Sequence, residues 1–339
     1  MDIDGGVIVD VRVGVTRPPG VPQRPGFTMP GLLNVHSHAF HRALRGRTHQ
    51  GARDFWRWRD AMYQIAARLD PDLYFELARA TYAEMALAGI TNVYEFHYLH
   101  HDRDGSRYAD PNEMAVALGR AAAAAGIRLT LLDTCYLRAG LRGEELSPVQ
   151  HRFADADVGE WAQRVGALAL EGDAEVGVAI HSVRAVDPHA ISVVAGVADD
   201  LDVPLHVHVS EQLAENDECM AMHRMSPTEL LAHAGAAGPR TTAVHATHVT
   251  PTDVDLLAAN GAQVCMCPTT ERDLGDGVGP TSAFRQARVP ISYGSDSHAV
   301  IDLFEEARQA ELHERLVSHE RGLSPAAFLF EGLIGRRRI

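Results

Sequence analysis

The chain of 339 residues contains no lysine; all 31 of its basic residues are arginine. That absence excludes Schiff-base catalysis, anchoring of pyridoxal phosphate and a Walker-type phosphate loop, each of which needs a lysine ammonium. It also removes the carboxylated lysine that could bridge two metal ions, so any metal site is expected to be mononuclear. Cysteine is scarce. Cys135, Cys219, Cys265 and Cys267 form no disulfide framework, and a reducing cytoplasm is the expected setting. No apolar run approaches the ~20 residues of a membrane span, and the acidic start "MDIDGG" lacks the pattern of a signal peptide. Positive charge is also short: 45 acidic side chains leave a net charge of −14. This balance argues against nucleic acid as a partner and would repel an anionic substrate at long range. Such a substrate would need arginines placed at the site itself.

What the chain does have is rhythm. Eight short β-branched or apolar runs, at residues 27–38, 89–99, 127–137, 175–183, 203–211, 241–248, 262–270 and 290–298, alternate with Ala-, Leu- and Glu-rich stretches. Several of those stretches open with helix-starting patterns, such as "DPD" at 70–72, "SPTE" at 226–229 and "TPTD" at 250–253. Alternating β and α implies a parallel sheet, and eight repeats predict an α/β fold of the closed, TIM-like (β/α)8 barrel kind. An open, doubly wound sheet is the structural alternative, but no G-x-G-x-x-G follows the first strand to support it. Residues 1–26 read as one or two strands and a Pro/Gly-rich linker, 27–325 as the barrel, and 326–339 as a short tail.

The stretch "NVHSHAFHRALRGRTH" (34–49) carries His36, His38, His41 and His49. With 19 histidines in the chain, chance alone supplies roughly one H-x-H, so the pair means little by itself. Its placement means more. In a (β/α)8 barrel, chemistry sits where strands end, and ionisable residues collect there: His36 and His38, then Glu95, His97 and Tyr98, then His181 and Arg184. His206, His208 and Glu211 follow, then His245 and His248, Thr269 to Glu271, and Asp296 with His298. Period-two geometry puts His36 and His38 on one side of their strand, as a shared metal requires. Three imidazoles, one carboxylate and a water would suit one Zn2+ with an open position.

These motifs resemble the amidohydrolase superfamily in its mononuclear deaminase branch. More closely, "NVHSHAFHRALRG", "DFWRWRDAMY", "EFHYLHH", "VHVSEQLAEN", "VHATHVT", "CMCPTTERDLGDG" and "GSDSHAVIDLFEEAR" resemble the N-formimino-L-glutamate deiminases of histidine degradation. The resemblance implies that His36, His38, His208 and Asp296 hold zinc, that Glu211 shuttles a proton, and that His245 polarises the reacting centre. It also implies that Arg59, Tyr98, His181 and Arg184 bind the two carboxylates and the formimino group of a small dicarboxylate substrate. The implied products are N-formyl-L-glutamate and ammonia. Two arginines at the mouth would hold a dianion despite the acidic background.

Other readings attach to particular residues. His206 is a deeper core histidine or a substitute ligand for His208. His97, His100 and His101 are surface or packing residues, and His248 is structural. His298 shares the face of Asp296. Cys265 and Cys267 belong to the core, Trp56 and Trp58 wall a pocket or pack a helix, and His49 has no assigned role. His41 stands where many deiminases carry a substrate-contacting glutamine, and it takes that position here. The family's small β-sandwich looks incomplete at both chain ends, which would leave an apolar barrel face bare and favour a homodimer. The alternatives are a guanine-type aminohydrolase or an inactive truncated homologue.

Overall fold

The computed structural model describes residues 1–5, 7–23, 25–48 and 55–335, without the side chains of Val7, Phe55 and Trp56. His49 and the Trp56 side chain therefore lie outside the described residues. Two compact units divide the chain, 1–30 and 31–339. In the first, β1 (Asp2–Asp4) and β2 (Val7–Asp10) form an antiparallel hairpin, with Arg12 ion-paired to Asp2 and Asp10.

The second unit is a barrel of eight parallel strands. They are β3 (Leu32–Ser37), β4 (Ile90–His97), β5 (Arg128–Cys135), β6 (Glu175–Ile180), β7 (Leu205–Val209), β8 (Thr241–His245), β9 (Gln263–Met266) and β10 (Ile291–Tyr293). Each falls inside one of the eight runs read from the sequence, and each pairs with its neighbour in chain order. The helices between them start where capping chemistry says they should. Asp70 accepts from the Leu73 amide at 2.9 Å, and Ser226 with Glu229 and Thr250 with Asp253 form capping boxes, each followed by a first-turn proline.

The ring closes between β3 and the segment just after β10. A parallel bridge joins Ser37 to Asp296, and the Asn34 side chain bonds to Ser295 through both its amide nitrogen and its oxygen. Gly294 makes this seam possible. A Cβ on it would lie 2.6 Å from the His36 Cβ and 2.8 Å from the His36 carbonyl oxygen, so no larger residue fits.

Two segments differ from their expected form. Thr269, Thr270 and Glu271, read as the end of the seventh strand, lie in the helix Pro268–Leu274, because Pro268 removes an amide donor and starts a helix directly after β9. Residues 326–334 are a helix, Ala326–Ile334, packed on β10 and β3. Its Gly332 sits so close to β10 that a Cβ would meet the Tyr293 ring at 2.7 Å.

Candidate active site

Alternate residues of each strand face the barrel interior, which sets what can meet there. Tyr94 and His206 stack near-parallel with centroids 5.4 Å apart, and one layer further along Phe96 lies 4.2 Å from the His208 ring. His206 is therefore a fully buried core residue beneath His208.

At the strand ends, His36, His38 and His208 converge. The Nε2 atom of His208 is 3.1 Å from that of His36 and 3.3 Å from that of His38. Asp296 Oδ1 lies 3.3 Å from His36 Nε2 and 3.5 Å from His38 Nε2. These spacings match the roughly 3.3 Å edge of a tetrahedron whose metal–nitrogen bonds are about 2.0–2.1 Å. Tautomers strengthen the case. His38 Nδ1 faces the Phe96 carbonyl at 3.0 Å and His208 Nδ1 faces the His181 carbonyl at 2.9 Å. A carbonyl only accepts, so each Nδ1 carries the proton and both Nε2 atoms present bare lone pairs to each other. That contact is no hydrogen bond; it is repulsive unless a cation lies between. Burial also pushes both imidazoles well below the usual histidine range, leaving them neutral, as ligands must be.

Asp296, His245 and Glu211 continue the cluster. Burial opposes the charge on Asp296, but the hydrogen bond from His36 and the fields of His36 and His245 hold its carboxyl below the usual range. His245 Nε2 lies 3.9 Å from Asp296 Oδ2 and 3.7 Å from Glu211 Oε1, and its Nδ1 is 3.5 Å from Glu271 Oε1. Burial disfavours its cation, yet Glu211 and then Glu271 and Asp296 outweigh burial and raise it to about 10. Burial raises Glu211, against the pull of His245 and Arg184. His245, Asp296 and His298 all have left-handed backbone, at φ of 68°, 43° and 58°, a cost of about 1 kcal/mol or more each that aims their side chains.

One cavity opens onto this cluster, and the residues expected to bind substrate all line it: His41, Arg59, Tyr98, His181 and Arg184. His41 Nε2 is 3.0 Å from the Tyr98 hydroxyl. Arg184 Nε lies 3.3 Å from Glu215 and its Nη2 3.8 Å from Glu211, so it is anchored inside the site and is no ordinary surface ion pair. Trp58, Tyr63, Tyr136 and Phe153 complete an aromatic wall.

The remaining histidines sort themselves out. His298 lies behind β3, 3.2 Å from Ser37 Oγ and 2.9 Å from Ser295 Oγ, and so props the seam. His248 Nε2 meets the Asp276 carbonyl at 2.7 Å. His97, His100 and His101 are packing residues, fully buried and not on the surface. His97, His100 and Asp133 have ligand atoms close enough for a metal. However, Arg164 grips both Asp133 oxygens at 2.6 and 2.9 Å and Trp161 takes a further bond at 3.1 Å, so a guanidinium already occupies the place of a cation. Cys265 and Cys267 are both buried.

Sequence reasoning assigned no role to Glu271, Glu215, Tyr63 and Tyr136. Glu215 stands four residues beyond Glu211, in the helix Leu213–His223, and Tyr136 directly follows the third barrel strand; spacing and position were the available signals.

Fold and site together define a metal-dependent barrel hydrolase. The amidohydrolase family pattern matches residues 27–330, and the chain belongs to the amidohydrolase family. It is similar to the formimidoylglutamate deiminase of Pseudomonas aeruginosa, 39% identical over 321 residues that cover 93% of this chain and 70% of that protein. The 8-oxoguanine deaminase of the same organism is 27% identical, over 100% of this chain and 78% of its own length. An amidohydrolase from Brucella melitensis superposes with a TM-score of 0.84 at 35% identity, covering 90% of this chain and 70% of that one. An adenosine deaminase from Xanthomonas campestris with bound zinc shares the fold, with a TM-score of 0.72 at 24% identity over 90% of this chain and 65% of that one. The protein is a hydrolytic deaminase acting on a C–N bond. No helix among the described residues is long and apolar enough to cross a membrane.

Proposed function

We propose that the protein converts N-formimino-L-glutamate and water to N-formyl-L-glutamate and ammonia with one zinc ion. The observation that carries this reading is a single cavity joining a metal-type donor set, a buried carboxyl and two arginines. His36, His38, His208 and Asp296 would hold the ion. When bound, zinc lowers the pKa of water to about 7 and polarises the carbon under attack.

The chain's own groups do the rest. Asp296, held ionised, accepts a proton from the attacking water. Glu211, whose burial favours the protonated form, gives its proton to the imino nitrogen to make NH2. The proton held by Asp296 then passes to that nitrogen while Glu211 takes the hydroxyl proton of the adduct, so the C–N bond breaks with ammonia leaving and both carboxyl groups are restored. His245, cationic between Glu211, Glu271 and Asp296, stabilises negative charge developing on the substrate. Arg59 and Arg184 hold the carboxylates, while His41, Tyr98 and His181 surround the formimino end. The four cysteines, all buried and unpaired, support a cytoplasmic setting.

A purine-type substrate is the second reading, favoured by the aromatic wall and by the similarity to 8-oxoguanine deaminase. A flat heterocycle offers no carboxylate to Arg59 and Arg184, the half-buried guanidinium groups of the cavity wall, which is why the dicarboxylate is preferred. Ammonia release by zinc-loaded protein separates the two: turnover of formiminoglutamate with none of guanine supports the proposal, and the reverse overturns it.

A further inference from the structure

The wall of the cavity contains a hydrogen-bond donor that the reaction described above does not use. It belongs to Tyr136, and its direction is set by a residue outside the cavity lining, Gln150.

The hydrogen-bond chain begins at a backbone amide. Ser147 N–H donates to Gln150 Oε1 at 3.0 Å, and Ser147 Oγ lies 2.8 Å from the same atom. A backbone N–H can only donate, so the Gln150 oxygen is fixed on that side and its NH2 group points the other way. That NH2 donates to the Tyr136 hydroxyl oxygen at 2.7 Å. Tyr136 is thereby made an acceptor towards Gln150, and its own proton has to go elsewhere. That proton meets no acceptor within hydrogen-bond distance among the described residues, and Tyr136 lines a cavity that also holds Tyr63, Arg59 and Arg184. Burial raises both phenols above their ordinary range, so the donor persists across neutral and mildly alkaline pH.

We propose that Tyr136, aimed by Gln150, forms a carboxylate subsite together with the arginines and selects a group that only accepts hydrogen bonds. Tyr136 touches substrate, and Gln150 is a positioning residue. This inference rests on the dicarboxylate reading of the same cavity. The surplus O–H rejects an ammonium or an amide nitrogen at that end, because two donors would then face each other in a dry pocket.

The test compares Tyr136→Phe and Gln150→Glu with wild type on N-formimino-L-glutamate and on two analogues, N-formimino-4-aminobutyrate and N-formimino-2-aminobutyrate. Each analogue lacks one carboxylate. Tyr136→Phe is expected to raise KM for the dicarboxylate roughly ten- to hundredfold, the effect of losing a bond to a charged group, with kcat within about threefold. On the analogue lacking the carboxylate held at this subsite, the variant should make no further difference. Gln150→Glu should raise KM in the same direction although Tyr136 remains, because its second carboxylate oxygen captures the surplus proton. Unchanged KM in Tyr136→Phe overturns the inference, as does an equal penalty on all three substrates. If wild type releases no ammonia from the dicarboxylate, the proposed function falls and this inference with it; wild-type turnover with an indifferent Tyr136→Phe sinks this inference alone.

Discussion

The backbone amide of Asp296 donates to the carbonyl of His36 at 3.0 Å, while the Asp296 carboxylate lies 3.3 Å from the Nε2 of that same residue. A third link runs from the His38 amide to the Asp296 carbonyl at 3.2 Å. The contacts that close the barrel and the contacts that gather the proposed metal ligands are thus made by the same residues. Barrel closure and site geometry are mechanically one feature, and substitutions at the seam should read out in both.

Gly294→Ala tests that coupling without touching an ionisable group. Its Cβ would press on the Cβ, nitrogen and carbonyl oxygen of His36, and backbone cannot yield as a side chain can. We expect a loss of about 1–3 kcal/mol in denaturant unfolding together with weaker zinc retention against a chelator. Destabilisation with zinc affinity unchanged would separate the seam from the site.

Asp296→Asn keeps the backbone seam but removes the carboxylate. Activity is expected to fall by roughly 10²–10⁴-fold, the usual scale for a lost general base, with the far-ultraviolet circular dichroism unchanged. A variant that keeps full turnover would refute the assignment of Asp296 as the base.

Glu95 supplies a pH prediction. It is fully buried behind Ser37, accepts from the Ala39 amide at 2.6 Å, and is pushed up to about 8, mainly by burial and against those hydrogen bonds. Its unfolded value is near 4.5, so between these pH values the folded state binds more protons than the unfolded one. Stability from this group is therefore present at low pH and lost as pH rises towards 8, with a slope of at most about 1.4 kcal/mol per pH unit. Glu95→Gln should flatten that decline in urea titrations at pH 5 to 8. An unchanged profile would assign the decline to other groups.

Arg164→Met addresses the second histidine–aspartate cluster. Arg164 pairs with Asp133 at 2.6 Å and with Asp155 at 2.9 Å, all three side chains being buried. Removing it leaves two uncompensated carboxylates, and a loss of about 3–5 kcal/mol is expected. Metal analysis of the wild type should find one zinc per chain, and His97→Ala should not lower that number. A drop would mean that the cluster does hold metal.

The eight strands were legible because burial on both faces writes continuous apolar runs, and the helix starts because capping needs particular side chains at particular spacings. His36, His38, Asp296 and their partners were legible as candidates because they sit at strand ends. What stayed hidden depends on contacts between distant segments. Gly294 is a seam residue only because His36, far away in the chain, lies against it. Tyr136 becomes a directed donor only through Ser147 and Gln150, whose loop conformation no periodicity encodes. Arg164, eleven residues before β6 in the helix Val158–Gly166, is a buried partner because the Asp133 carboxylate meets its guanidinium.

The most direct test of the account is product analysis by NMR after zinc-loaded protein is incubated with N-formimino-L-glutamate. The account predicts stoichiometric N-formyl-L-glutamate and ammonia, since Glu211 protonates the imino nitrogen. Formation of L-glutamate and formamide, or no turnover at all, would contradict it.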